Sequence, residues 1–386
     1  MDQSKRMKSV QDPIIPLVGD WILDNPGTIS LGQGIVSYPP PPQVEERIKD
    51  FYQNPSLHAY QAVEGIPELR NLIQRKLGEE NQILLRSEKR LVITAGSNMA
   101  FSHAVLAIAD EGDEIILLTP CYFNHEMALT MAGVKVISVP TQVDYLPDLK
   151  RIKEAITDRT KAIVTVSPNN PTGQVYPEAL LREINQLCRA RKLYHIHDEA
   201  YEYFVYEGHQ SFSPGSIAGS EAYTLSLFSL SKAYGFASWR IGYMVIPEQL
   251  FNAIRKIQDT QLICPPVISQ YAALGAMEGG HDYVLSQLPK LEDLRKKLLE
   301  GLKPLGQYCK VSAAEGALYI WLELPAESDE LAIAKALIYE YKVAVIPGGT
   351  FGAKRPSLRL SFGALDEEMA ELGIERLCEG IPALLA

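Results

Sequence analysis

The middle of the chain alternates short apolar runs with helical patterns. Between the runs, apolar residues such as Leu181, Ile184 and Cys188 recur at helical spacing after Pro177, a residue that suits the start of a helix. Because the runs are continuously apolar rather than alternating, strands formed from them are covered on both faces. The pattern therefore predicts an α/β fold whose largely parallel sheet is flanked by helices. The predicted strands are Leu91–Thr94, Glu114–Leu118, Lys135–Val139, Lys161–Val166, Tyr194–His197, Thr224–Phe228 and Ile241–Ile246.

The two ends of the chain differ from this core. Residues 1–42 show little periodicity and finish in the four prolines Pro39–Pro42, which are typical of a stiff, extended boundary. Beyond Asp282, a helical leucine stripe leads into strand candidates at Gly316–Leu322, Val343–Ile346 and Ser357–Ser361. We expect a large domain over 43–281, a smaller α+β C-terminal domain over 282–386, and an N-terminal arm over 1–42 that packs on the small domain.

Composition narrows the class of protein. The chain has 386 residues, 46% hydrophobic and 22% charged, as in soluble globular proteins. Its formal net charge of −10 argues against nucleic acid or an anionic membrane as the main partner. The five scattered cysteines include no C-x-x-C pair and are typical of reduced thiols. The N-terminus is polar, and no apolar run approaches the ~20 residues that a membrane span requires. We therefore expect a cytoplasmic protein without a signal peptide.

A lysine follows one of the apolar runs. Lys232 ends the segment Ser229-Leu230-Ser231-Lys232, directly after the predicted strand Thr224–Phe228, and Arg240 lies eight residues further on. Ligand-binding groups collect outside the carboxyl ends of parallel strands. Burial there would lower the pKa of a lysine amine and make it a nucleophile towards a carbonyl carbon. The alternative is an exposed lysine at a strand end.

An acidic residue ends a second predicted strand. Asp198 could hold a heterocyclic cation, and Tyr201, three residues on, could meet a phenolic oxygen of the same ligand. A rival interpretation is a metal site, because His195 and His197 share one strand face. The chain has seven histidines and the other five are isolated. We therefore predict no metal.

Three further segments carry polar groups at strand ends or in strands. In Ser167–Gly173, Pro and Gly residues fix a turn that presents Asn170. The turn Gly96-Ser97-Asn98 separates a strand from a helix, where free N–H groups form an anion site. Arg359 lies inside an apolar strand and is suited either to gripping a carboxylate or to an internal salt bridge. Taken alone, each segment also fits an ordinary structural role.

Taken together, these segments resemble a known family. The motifs N-P-T-G, D-E-x-Y, S-x-S-K, R-x-G and a late R-x-S-F occur in the order and spacing of the class I and II, fold type I, aminotransferases that depend on pyridoxal 5′-phosphate. The resemblance runs from Leu31 to Arg359. It implies the fold type I architecture, in which the large domain has a mostly parallel, mixed sheet flanked by helices. It also implies that cofactor, and transfer of an α-amino group from an amino acid to a 2-oxo acid in two half-reactions.

The resemblance also implies a role for each matching residue. Lys232 would bond covalently to the cofactor's aldehyde and later move the substrate's α-proton, Asp198 would pair with the ring nitrogen, and Tyr201 and Asn170 would hydrogen-bond the phenolic oxygen. Arg359 would bind the substrate carboxylate, with Asn170 and Gly34 beside it. Tyr122 would stack on the cofactor ring, and Tyr60 of each subunit would reach the phosphate bound by its partner. The other contacts to the phosphate would come from Gly96, Ser97, Asn98, Ser229 and Arg240. The contact from Tyr60 implies a homodimer with shared active sites.

Two departures from the family bear on specificity and loop shape. Ala237-Ser238 replaces the usual Pro-Gly or Thr-Gly pair before Arg240, and Gly96-Ser97-Asn98-Met99 lacks the lysine of the bacterial aspartate-specific subgroup. Gly34–Tyr38, which resembles the segment lining the substrate side chain, is apolar and aromatic, so we predict an apolar or aromatic donor.

Three other functions are alternatives to an aminotransferase. The first is a lyase or synthase on the same fold, such as a C–S β-lyase or an aminocyclopropane-carboxylate-forming enzyme. The others are a ligand-sensing regulator and a metal hydrolase.

Overall fold

The computed structural model describes residues 2–386. Its α-helices follow the predicted periodicity: the stripe Leu181, Ile184, Leu187 and Cys188 is buried in a helix that begins one residue after Pro177. Over the described residues the helices are α1 Lys5–Ser9, α2 Ile14–Leu23, α3 Gln43–Gln53, α4 Pro67–Glu79, α5 Ser97–Ile108, α6 Phe123–Ala132, α7 Leu149–Ala155, α8 Glu178–Arg191, α9 Leu230–Ala233, α10 Phe251–Gln261, α11 Val267–Gly301, α12 Glu330–Tyr339 and α13 Glu367–Leu385.

The strands include all seven that the apolar runs predict, with ends shifted by at most two residues. In residues 2–386 they are β1 Ile29–Ser30, β2 Lys89–Thr94, β3 Glu114–Thr119, β4 Lys135–Pro140, β5 Thr160–Val166, β6 Tyr194–Asp198, β7 Thr224–Ser229, β8 Gly242–Pro247, β9 Lys310–Val311, β10 Tyr319–Glu323, β11 Val343–Ala344, β12 Ile346–Pro347 and β13 Ser357–Ser361.

The central sheet has the order β2-β8-β7-β6-β5-β3-β4. Strands β4, β3, β5, β6 and β7 pair in parallel, whereas β8 runs antiparallel to both of its neighbours, β2 and β7. Helices cover both faces, and β3, β7 and β8 are buried along their whole length. The predicted α/β class with a mostly parallel mixed sheet is therefore confirmed.

The antiparallel direction of β8 determines which residues meet at the end of the sheet. The parallel strands end at one edge of the sheet, and β8 begins at that same edge, where Gly242 pairs with Thr94 and Ser229. Residues that follow β2, β3, β5, β6 and β7 are therefore brought beside residues that precede β8.

A second, antiparallel sheet of order β12-β13-β10-β9 forms the C-terminal part. The run Val343–Ile346, which the sequence predicts as one strand, is instead divided. Val343–Ala344 pairs in parallel with β1 of the N-terminal arm, and Ile346–Pro347 pairs with β13. The chain crosses between two sheets at Val345, so no single strand spans the run.

The long helix α11 runs from the central part into the C-terminal part. Its leucines Leu291, Leu294 and Leu298 are buried on one face, as their spacing predicts. Gly280 interrupts the helical backbone with φ 68°, two residues before Asp282, where we place the start of the small domain. The domain limits themselves stay predictions. Among residues 2–386, no helix has the length and apolar character needed to cross a membrane.

Candidate active site

A cavity opens at the edge of the central sheet where the strands end. Its empty space, including the solvent at its mouth, is about 460 Å³. Its walls come from the segments that follow β2, β3, β5, β6 and β7 and from the segment before β8. The lining residues are Ser97, Asn98, Tyr122, Val166, Asn170, Asp198, Ala200, Tyr201, Ser229, Ser231, Lys232 and Arg240. Most of the residues predicted for one site are thus brought together.

Lys232 projects into this cavity from α9, a single helical turn that follows β7. Its carbonyl oxygen accepts a hydrogen bond of 2.6 Å from the hydroxyl of Tyr38, which fixes the backbone under the amine. Burial, followed by the positive charge of Arg240, lowers the pKa of Lys232 to about 8, and Asp198 opposes that shift. A substantial fraction of the amine is therefore neutral near pH 7 to 8.

Asp198 ends β6 at the floor of the cavity and is 3% exposed. Its Oδ1 accepts a hydrogen bond of 3.0 Å from the amide of Ala200, which sets the carboxylate orientation. Its Oδ2 lies 3.1 Å from Nε2 of His125, although the contact lacks hydrogen-bond geometry. The His125 ring stacks on Phe101 with a centroid distance of 4.0 Å. One buried carboxylate thus lines the cavity at the end of β6.

His125 is a site residue that the sequence patterns do not reveal. It lies in α6, in no recognisable motif, and it is buried beneath Asp198. Only the structure shows that the first turn of α6 passes behind the end of β6. A histidine three residues after Tyr122 is the one available signal, because that spacing puts both side chains on the same helix face.

The turn before α5 has the geometry of an anion site. Gly96 occupies the N-cap position with φ 81°, and no side chain caps the first amides of the helix. A Cβ on Gly96 would come within 2.5 Å of Nη2 of Arg240, so glycine is required for the guanidinium to approach. Ser97, Asn98 and Ser229 complete this end of the cavity. Helix dipole, free N–H groups and a cation therefore converge on one point.

Asn170 and Tyr201 line the opposite wall. The amide nitrogen of Asn170 donates a hydrogen bond of 3.4 Å to the hydroxyl of Tyr201. Its amide oxygen accepts a hydrogen bond of 3.0 Å from Nη1 of Arg359, in β13. A single asparagine therefore joins the cavity to an arginine of the C-terminal sheet.

Arg359 is buried between aromatic rings. Its guanidinium carbon lies 4.4 Å from the ring centroid of Tyr319 and 4.9 Å from that of Phe351, and Nη2 donates a hydrogen bond of 2.7 Å to the carbonyl of Gly32. No carboxylate of residues 2–386 lies within ion-pair distance of Arg359, and its buried Nε has no partner there. This geometry favours a ligand carboxylate over the internal salt bridge.

Three predicted residues occupy the margins of the site. Tyr122 lines the cavity, and its hydroxyl accepts a hydrogen bond of 2.7 Å from Asn124. Gly34 lies behind the Arg359 wall, against Tyr319. Tyr60 lies outside the cavity of its own chain and is 78% exposed.

The histidine pair of β6 belongs to the protein core. The hydroxyl of Thr165 lies 2.8 Å from Nε2 of His195 and 2.6 Å from Nδ1 of His197. Burial lowers the pKa of His195 to about 3 and also lowers the pKa of His197 well below its usual value. Within the part of the chain that the structure describes, no group of three potential metal-ligand side chains occurs.

Comparison with known proteins agrees with the fold. The family model for class I and II aminotransferases matches residues 26–377. The chain belongs to this family and is a fold type I aminotransferase. No comparison supports the lyase or synthase alternative.

Individual relatives cover nearly the whole chain. The aromatic aminotransferase ISS1 of Arabidopsis thaliana is 34% identical over 99% of this chain and 97% of its own length. The aspartate/prephenate aminotransferase of Thermus thermophilus is 36% identical over 81% of this chain and 80% of its own. The solved structure of Thermus thermophilus aspartate aminotransferase with maleate is 32% identical, with a TM-score of 0.90 over 98% of this chain and 99% of that one.

Proposed function

We propose that this aminotransferase uses pyridoxal 5′-phosphate, bound in the cavity that Lys232 and Asp198 share. The proposal rests on one observation: side chains suited to the different parts of this cofactor line a single cavity. The anion site of α5 with Arg240 suits a phosphate, and the Asp198 carboxylate suits a protonated ring nitrogen. Tyr201 and Asn170 suit a phenolic oxygen, and the amine of Lys232 suits an aldehyde. The residues present therefore fit this cofactor.

The cofactor, when bound, supplies an electron-accepting ring that stabilises negative charge at the substrate's α-carbon. The chain's own groups make that ring effective. The buried carboxylate of Asp198 would pair with the ring nitrogen and favour its protonated form. Ser97, Asn98, Ser229 and Arg240 would hold the phosphate.

Proton movement is assigned to Lys232. Its amine must be neutral to take a proton from the substrate's α-carbon, and its lowered pKa of about 8 makes that form accessible. Arg359 holds the substrate by its carboxylate, and Asn170 links that arginine to Tyr201.

For the donor, we propose an apolar or aromatic amino acid. The walls near Arg359 are the rings of Tyr319 and Phe351, and the stretch Gly96-Ser97-Asn98-Met99 lacks the lysine of the aspartate-specific subgroup. Among the described lining residues, the cations are Lys232 and Arg240, both assigned to the cofactor. The relatives are named for aromatic and for aspartate/prephenate activity, so the test compares both classes of donor.

The function is tested in a half-reaction. Purified protein loaded with pyridoxal 5′-phosphate receives phenylalanine, tyrosine, leucine, aspartate or glutamate, with no 2-oxo acid present. We expect the absorbance of the lysine-bound cofactor to disappear and one equivalent of the matching 2-oxo acid to form per site, fastest with the apolar and aromatic donors. Continuous release of product without an added 2-oxo acid would instead identify a lyase. Fastest reaction with aspartate would contradict the proposed donor class.

We also propose a homodimer in which Tyr60 reaches the partner's phosphate site. Tyr60 is 78% exposed and contributes nothing to the cavity of its own chain. Sedimentation should give twice the chain mass of 42.9 kDa. Tyr60→Ala should raise the cofactor's dissociation constant by about 10-fold, the effect of losing one hydrogen bond to a charged group.

The matched control for that variant is Tyr52→Ala, which removes another exposed tyrosine (64%) to which we assign no role. It should retain cofactor as the unsubstituted protein does. A monomer in solution, or equal cofactor affinity in the two variants, would exclude the shared site.

The cellular setting we propose is the cytoplasm, without a nucleic-acid or membrane partner. All five cysteines are free, and four of them are buried. Free thiols are typical of proteins from reducing compartments. The net charge of −10 disfavours polyanionic partners.

A further inference from the structure

Tyr319 is a buried residue of β10 that none of the motifs includes. Its side chain is 1% exposed, and its hydroxyl oxygen lies 2.5 Å from the hydroxyl oxygen of Tyr201. Within residues 2–386 this is the one hydrogen bond of the Tyr319 side chain. The bond joins the C-terminal sheet, which carries Tyr319, to the segment after β6, which carries Tyr201.

The ring of Tyr319 also supports Arg359. The guanidinium carbon lies 4.4 Å from its centroid, within cation–π distance. Strands β10 and β13 are antiparallel neighbours, in which Trp321 pairs with Arg359 and Tyr319 pairs with Ser361. The face of the Tyr319 ring therefore contacts Arg359, the residue assigned to the substrate carboxylate. Its hydroxyl contacts Tyr201, a residue assigned to the cofactor's phenolic oxygen.

The space around this hydroxyl is confined by Gly34. A Cβ on Gly34 would lie 2.0 Å from the Tyr319 hydroxyl oxygen and 2.9 Å from the ring carbon that bears it. Since contacts below 3.0 Å do not occur for real Cβ atoms, any larger residue at 34 would displace Tyr319. The glycine predicted to border the substrate thus makes room for the tyrosine.

The hydroxyl of Tyr319 affects which hydrogen bond the proton of Tyr201 can form. Tyr201 has one proton to donate and accepts from the amide of Asn170. When the Tyr319 hydroxyl also donates to Tyr201, the single Tyr201 proton is left for a ligand oxygen. A hydroxyl that accepts such bonds is a stronger donor, because hydrogen bonds in a chain polarise one another.

We propose that Tyr319 is a positioning residue that directs the Tyr201 hydroxyl towards the cofactor's phenolic oxygen and holds Arg359 in place for the substrate carboxylate. This inference rests on the proposed function, since it presumes that cofactor in the cavity. The charged and titratable groups that face the tyrosine pair are Tyr122, Lys232 and Arg359.

The test separates the two contacts of Tyr319 by substitution. Tyr319→Phe keeps the ring below Arg359 and removes the hydroxyl, whereas Tyr319→Leu removes both. With a weaker Tyr201 bond to the phenolic oxygen, the pH midpoint of the lysine-bound cofactor's absorbance should rise by about half a unit in Tyr319→Phe. Its kcat should fall about 5-fold with little change in KM. Tyr319→Leu should in addition raise KM several-fold.

Two further variants make the result specific. Gly34→Ala, which displaces the Tyr319 hydroxyl, should shift the absorbance midpoint in the same direction. Tyr206→Phe is the matched control, because that buried tyrosine donates to the carbonyl of Ala317, and it should leave the midpoint unchanged.

The outcomes distinguish this inference from the proposed function. If unsubstituted protein shows no absorbance from lysine-bound cofactor, the proposed function fails. If it does, and Tyr319→Phe has the same midpoint and kcat, the positioning role alone is overturned. An equal shift in Tyr206→Phe would likewise overturn it, because the effect would then follow from losing any buried hydroxyl.

Discussion

Replacing Lys232 with alanine should lower the rate of amino-group transfer by about 10³-fold or more, the largest effect expected at any position. The substitution removes both the nucleophile that bonds the cofactor and the base that moves the substrate proton. The anion site at Gly96, Ser97 and Arg240 is untouched, so the variant should still bind pyridoxal 5′-phosphate. Its absorbance should be that of the free aldehyde, and single-turnover measurements with a donor should show the loss.

Lys232→Arg separates charge from nucleophilicity. A guanidinium stays protonated throughout the accessible pH range, so this variant should be as inactive as Lys232→Ala although it keeps a cation in the cavity. Near-normal turnover in either variant would remove Lys232 from the mechanism. A loss of both cofactor binding and thermal stability would instead indicate a structural role for the side chain.

The lowered pKa of Lys232 gives the same residue a pH signature. Only the neutral amine attacks an aldehyde, and its fraction rises as the pH increases through a pKa of about 8. In protein freed of cofactor, covalent capture of pyridoxal 5′-phosphate should therefore accelerate with pH and level off above about 9. Stopped-flow absorbance at several pH values measures the midpoint.

The central part of this fold could be predicted from the sequence because its strands are buried on both faces. Such strands are continuous apolar runs, and parallel strands must end at one edge of the sheet. Polar residues that follow separate runs, such as Asn170 and Asp198, are then neighbours in space even though the runs are distant in sequence. The reversal of β8, which adds Arg240 to the group, has no signature in the apolar runs.

The remainder depends on contacts that leave no local pattern. Tyr319 lies in an apolar strand, where a tyrosine is indistinguishable from any other core aromatic, and its contact with Gly34 joins positions 285 residues apart. His125 is a helix residue whose importance comes from the packing of α6 behind β6. The division of Val343–Ile346 between two sheets likewise depends on where β1 and β13 arrive.

Replacing Asp198 with asparagine should lower transfer activity by about 10²- to 10³-fold, the scale of losing one electrostatic group that acts on the reacting centre. Asparagine keeps the size of the side chain and an oxygen that can accept the hydrogen bond from Ala200. It removes the negative charge that keeps a ring nitrogen protonated, so negative charge at the substrate's α-carbon is no longer stabilised. The fold and the anion site should be intact, and the variant should bind cofactor.

The neighbouring carboxyl group offers a matched control. Glu199 is fully buried, and burial raises its pKa well above the usual value, which favours its neutral form. Glu199→Gln therefore changes little in the charge of the region and should retain most of the activity. Comparable losses in Asp198→Asn and Glu199→Gln would show that disturbance of the β6 end, rather than the charge at 198, is responsible.

A second measurement on Asp198→Asn does not depend on turnover. The negative charge of Asp198 raises the pKa of Lys232, against the larger lowering that burial and Arg240 produce. Without that charge, the pKa of Lys232 should fall further, and the midpoint for cofactor capture should move below about pH 8. A midpoint that stays in place or moves upward would mean that the two side chains do not interact across the cavity, and the electrostatic basis of the proposed site would be wrong.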